Sequence, residues 1–165
     1  MVSFVYRSGS GIAGDVQDNA KSLIETRYLD SVNTPTYFGE PVKLVNGLVE
    51  SIQSGDDVSV FYGILTRSVP GLSGNTYNGA ASTAAMPNPF IENGICVQGY
   101  IKVICSVGTP AAYQPVYLRT TASGGNLVGQ LEATFASGFN VLLPNVVWAV
   151  GGLDNTNVSV IRIMV

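Results

Sequence analysis

The sequence predicts an all-β chain: a single antiparallel β-barrel or sandwich of about eight strands, with an extended N-terminal arm and a long loop near residues 69–93. Three observations carry that prediction. From residue 42 onward apolar and β-branched residues alternate with polar ones, the pattern of half-buried strands. Gly, Asn and Ser turn signals interrupt the alternation at short intervals. No helical segment lies between the strands, which argues against repeated βαβ units.

Residues 1–40, an arm and irregular segment, hold Phe4, Tyr6, Ile12, Tyr28, Tyr37 and Phe38 but little alternation. GSGIAG at 9–14 has the spacing of the dinucleotide-binding glycine fingerprint, residues 2–6 read as a short strand before it, and Asp30 stands near the ribose-binding position. Val16, Ala20, Leu23, Ile24 and Tyr28 recur at helical spacing, which makes 15–28 a candidate short helix. A dinucleotide fold needs further helices to cover a parallel sheet, and none follows residue 30. The glycines therefore read as flexible backbone that lets an arm lie across a surface.

The β domain spans 41–165. VKLV at 42–45 and LVESI at 48–52 flank Asn46-Gly47, a pair that accepts the positive φ values of a type I′ hairpin turn. A two-residue loop sets the register: Val45 opposite Leu48, Leu44 opposite Val49, and Lys43 opposite Glu50 with opposite charges on one face. SGDD at 54–57 is the next turn, and 58–66 reads as a long strand with a bulge or close approach at Gly63. Further strands are expected at 95–105, 115–121, 127–135, 141–150 and 158–165, with Pro110, Pro115 and Pro144 at strand starts, edges or bulges. Residues 69–93 form a connection too long for a simple turn, poor in charge and rich in small residues, which suits a segment that orders against a neighbour.

Length and a 46% apolar fraction suit one domain with a real core, while charged residues, at 12%, are about half the usual share. A weakly charged surface on such a chain suggests apolar area covered by a partner. The net charge is −3 and the eight basic residues are scattered, so no stripe suits nucleic acid. No leader-like segment and no apolar stretch of membrane-spanning length is present, so no membrane partner is expected and synthesis in a cytoplasm is. Cys96 and Cys105, nine positions apart in one extended strand, lie roughly 30 Å from each other and read as buried thiols.

Catalytic chemistry finds little to work with. The chain has no histidine, the most frequent general base and zinc ligand. None of Lys21, Lys43 and Lys102 follows a serine by three positions, and Ser73 sits in GLSG without the remaining nucleophile-elbow spacing. Two cysteines cannot complete a structural zinc site, and neither Asp56-Asp57 nor DNTN at 154–157 follows the calcium-loop spacing. Paired glycosidase carboxylates remain open among eleven acidic residues, and Trp148, Tyr62 and Tyr100 are candidate sugar-binding aromatics of a lectin-like sandwich. The expectation is a non-enzyme without metal or cofactor.

A set of short stretches, in order along the chain, points further: GIAGD at 11–15, YFGEPV at 37–42, FYGIL at 61–65 with a proline-containing loop after it, GYIKV at 99–103, PVYLR at 115–119, Gly124-Gly125, and LPNV at 143–146 before an apolar C-terminal strand. In these the sequence resembles the structural cement, or decoration, proteins of tailed-bacteriophage capsids. The resemblance implies a β-rich virion protein, made in the infected bacterium, that binds the outer face of the head. Its implied partners are the major capsid protein and itself, as a homotrimer cementing neighbouring capsomers and stabilising the expanded head. The contact residues expected from side-chain type and from the two odd segments are Phe4, Tyr6, Arg7, Ile12, Leu72, Tyr77, Met86 and Phe90. The alternative is a carbohydrate- or receptor-binding sandwich of a phage tail or fibre.

Overall fold

The computed structural model of the chain describes residues 11–67, 86–153 and 156–164. Among these residues nine strands run in order: β1 (Leu23–Arg27), β2 (Pro41–Val45), β3 (Leu48–Ser51), β4 (Phe61–Leu65), β5 (Asn93–Val107), β6 (Pro115–Arg119), β7 (Leu131–Glu132), β8 (Asn140–Trp148) and β9 (Val158–Ile163). Two single 3₁₀ turns, Asn19–Lys21 and Val58–Val60, are the helical elements among the described residues. The all-β expectation holds, and every strand pairing is antiparallel except β5 with β7.

The long strand β5 organises the molecule. Its first half pairs with β4 on one side and β1 on the other, and β2 and β3 continue beyond β4. Its second half pairs with β9 and β7, and the pairings β7–β6, β6–β8 and β8–β9 close the circuit. The change of partners falls at Gly99, where φ is +117°. A Cβ there would collide with the Ser22 hydroxyl and stand 2.6 Å from the Ser22 Cα, so glycine is required by both backbone and space.

A register shift beside that corner, with Leu23 opposite Gln98 but Ile24 opposite Cys96, leaves one residue of β5 unpaired. The extra residue reverses the alternation, so Cys96 shares the main core with Ile101, Val103 and Cys105. Around them pack Leu118, Leu131, Leu143, Ile161 and Trp148. Leu29, Val42, Val49, Leu65 and Ile95 form a second cluster on the other face. Both cysteines are free and buried, and burial pushes the Cys96 thiol up to about 11.

The hairpin follows its turn chemistry. Asn46 and Gly47 both take positive φ, and Lys43 lies opposite Glu50, Leu44 opposite Val49 and Val45 opposite Leu48. At Gly63 the close approach is real: an added Cβ would stand 2.7 Å from the Cys96 carbonyl oxygen, and the β2–β4 register shifts alongside. Pro115 opens β6, and Pro144 lies where the β6–β8 register slips, so neither removes a ladder donor from a regular pair.

Three local readings are corrected. Residues 15–28 are not a helix but the Asn19–Lys21 turn followed by β1. Leu23, Ile24 and Tyr28 are 52%, 41% and 50% exposed, so a helix would bury no apolar stripe, whereas the edge of β5 supplies backbone partners. The expected 127–135 strand shrinks to Leu131–Glu132, because Gly129 at φ +83° bends the chain before it and a bend region follows. The expected 58–66 strand begins only at Phe61, since Asp57 accepts from the Ser59 N–H at 2.9 Å and caps a 3₁₀ turn.

Candidate functional site

The described ends of the two segments expected to make contacts lie near each other. Residues 11–17 run alongside β5: Gly14 N–H donates to Lys102 O at 2.7 Å, Lys102 N–H to Asp15 O at 3.0 Å, and Gln17 N–H to Tyr100 O at 2.9 Å. Arg67, just beyond β4, donates its N–H to Gly14 O at 2.8 Å. Thr66 donates to Gly94 O at 2.8 Å, which places the far end of the 69–93 connection beside its start. Asp15 sits between two cations, 3.8 Å from both Arg67 Nη1 and Lys102 Nζ.

Glycine makes this crossing close. A Cβ on Gly14, at φ +88°, would stand 2.7 Å from the Phe38 Cβ and 2.9 Å from the Arg67 nitrogen. The Gly11 and Gly14 positions of the fingerprint-like stretch thus serve chain crossing, and the segment after them is the short turn and β1, not a phosphate-binding helix. Behind the crossing, the Glu40 carboxylate accepts from the Thr36 and Tyr37 N–H groups at 2.7 and 3.3 Å and holds the YFGEPV turn. Burial first, and Glu40 second, push the Tyr37 hydroxyl well above its ordinary range.

Of the expected contact residues, Ile12, Met86 and Phe90 are described, and all three are exposed, Phe90 the most at 84%. Phe4, Tyr6, Arg7, Leu72 and Tyr77 lie outside the described residues. The turn carrying Phe90 is built from within: Phe90 N–H donates to Asn88 Oδ1 at 2.9 Å, and buried Asn93 donates to the carbonyls of Asn88 and Ile91, both at 2.8 Å. Asn93 pairs with Arg27 at the end of β1, so this turn adjoins the exposed apolar side chains of that strand. On β1 the Glu25 carboxylate accepts from Arg27 Nη2 at 2.9 Å and from the Tyr62 hydroxyl.

Sequence reasoning missed the Asp15–Arg67–Lys102 cluster and the exposed face of β1. The only signal for the first was an acid closing the GIAGD stretch, because its partners are remote in sequence. The sugar-site aromatics do not assemble. Trp148 is wholly buried in the main core, where its Nε1 has no hydrogen-bond partner, and Tyr62 is engaged with Glu25 and Arg27. Tyr100 alone borders an open hollow, with the Arg162 guanidinium 5.5 Å from its ring centre. Among the described residues no three His, Cys, Asp or Glu side chains stand together as a metal site.

The sequence pattern of the structural cement proteins (E217 gp24/Pam3 gp6) matches residues 3–163. The chain belongs to this phage structural cement protein family. The match takes in both root segments and all nine strands. The fold is shared with a chain from the capsid of Myoviridae phage XM1, at TM-score 0.66 and 17% identity, over 96% of this chain and 93% of that one. No curated protein sequence matches. The role that follows from family membership is structural.

Proposed function

We propose that this cement protein binds the outer surface of a phage head, contacts the major capsid protein across neighbouring capsomers, and stabilises the expanded shell. The observation that carries the reading is the family match over nearly the whole chain. Supporting it, the described ends of both candidate contact segments are tied to the same stretch at Thr66 and Arg67, and Ile12, Met86 and Phe90 on those segments are exposed. Backbone hydrogen bonds from Gly14 and Arg67 tie this stretch to the β domain, so a contact made there is transmitted to it.

Mechanically, a protein that binds two shell subunits only when they are assembled shifts the equilibrium toward the shell by its binding free energy. As a homotrimer it gains avidity, since one bound arm raises the effective concentration of the others. The protein is made in the host cytoplasm and acts in the virion. The test is physical: undecorated expanded heads, heated with and without the purified protein, should rupture at a higher temperature when it is present. An unchanged rupture temperature at saturating protein would defeat the cementing role.

A further inference from the structure

We propose that the hollow at the Gly99 corner binds a single carboxylate, a glutamate or aspartate side chain set in an otherwise neutral segment of a partner protein, with Arg162 as its main contact. The hollow, of about 530 Å³, is lined by Gln98 and Tyr100 of β5, by Lys21 from the turn before β1, and by Arg162, Ile163 and Met164 at the end of β9. Two of its lining side chains are cations and none is an acid.

The register fixes the main cation. Tyr100 lies opposite Arg162 across β5 and β9, so these two side chains share one face, while the buried Ile101, Ile161 and Ile163 share the other. The Arg162 guanidinium accordingly stands over the Tyr100 ring, 5.5 Å from its centre. A guanidinium lying on an aromatic ring keeps in-plane N–H donors, which take a carboxylate by two parallel hydrogen bonds. Those donors are unused in the protomer. Among the described residues Arg162 makes no ion pair, whereas every other basic side chain described stands at ion-pair distance from a carboxylate. On a chain of net charge −3, an exposed cation without an acid is the exception.

The surroundings select the ligand. Lys21 adds a second positive charge, already paired with Asp18 at 3.3 Å. A smaller hollow, of about 320 Å³, shares Lys21 and Tyr100 with the first and continues it past Asp18 to Ala149 and Val150. Such a groove suits a chain segment rather than a lone ion. Asp18 repels a second carboxylate, and half-exposed Val150 offers apolar contact, so the segment carries one acid beside neutral, apolar residues. Two cations form no stripe for nucleic acid. A sugar acid carries the same charge, and the experiment separates it from a peptide. The site is read on the isolated protein, so its failure leaves the head-binding reading untouched.

Heteronuclear NMR of the nitrogen-labelled full chain, titrated with the blocked pentapeptide Ser-Val-Glu-Val-Ser, tests it. The Arg162 Nε–H and the amides of Gln98, Gly99 and Tyr100 should shift saturably at millimolar peptide, and the counterpart with Gln in place of Glu should bind at least about tenfold more weakly. Arg162→Gln should weaken binding of the Glu peptide by a similar factor with no fall in thermal midpoint. Arg27→Gln, which removes an exposed cation outside the hollow, should leave binding unchanged. If Arg162→Gln misfolds, the wild-type contrast between the two peptides decides. No shift at those amides, an equal response to the two peptides, an equal loss in Arg27→Gln, or shifts caused by N-acetylneuraminic acid at concentrations where the peptide gives none would each overturn the proposal.

Discussion

Glu132 is wholly buried on β7, where two side chains satisfy its carboxylate. Arg119 Nε donates to one oxygen at 2.5 Å and Asn140 Nδ2 to the other at 2.5 Å, while Asn140 also bonds Thr134 O at 2.9 Å. Removing one member of a buried pair strands the other charge, so Glu132→Ala should cost about 3–5 kcal/mol in denaturant unfolding. The Cys96 thiol gives a pH dependence. Its folded value, about 11, lies above the ordinary 9, so its contribution to stability is fully present below pH 9 and is lost as pH rises toward 11. Unfolding followed across that window should show the fall, and Cys96→Ala should flatten part of it. At this scale the sequence was informative where partners are local. Lys43 opposite Glu50 followed from the Asn-Gly turn, and the two side chains stand 3.8 Å apart. Asp56, closer to Lys43 at 2.9 Å, was not legible, because its carboxylate reaches the pair by a turn that also accepts the Gln53 N–H at 2.7 Å. Arg119 with Glu132 was hidden for a different reason: it needs the non-local pairing of Tyr117 with Glu132 across two strands.

At the scale of elements, the corner at Gly99 holds the two halves of β5 in different sheets. Gly99→Ala would force φ +117° on a residue with a Cβ and drive that atom into Ser22, a combined strain of roughly 1–3 kcal/mol or more, read as a lower thermal midpoint. Alternation located most strands because turn residues bound them and one face is buried. It failed at β5 in a specific way: the unpaired residue near Gly99 reverses the inside–outside parity, so a period-two reading puts Cys96 and Cys105 on opposite faces when both lie in one core. It failed at β1 because Leu23 and Ile24 are apolar without being buried, and helical spacing alone cannot tell exposed apolar residues from a core stripe.

For the whole molecule, the described ends of the N-terminal segment and of the long connection are bonded to the β body near each other. Deleting residues 2–10 should weaken head binding and leave the β body folded, because all nine strands lie beyond the cut; unchanged binding would remove the arm from the contact. Asp15→Ala, which unties Arg67 from Lys102 at the shared root, should lower head affinity several-fold with little loss of stability, since the pairs it breaks are long and partly exposed. Binding isotherms set beside thermal melts separate those two effects. The family was legible as a succession of short stretches, whereas the convergence of the roots required the fold. The most direct test of the central claim is co-sedimentation of the purified protein with undecorated expanded heads, alongside unexpanded proheads. The account predicts saturable binding to expanded heads at a fixed copy number per shell; a folded protein that sediments with neither particle would contradict it.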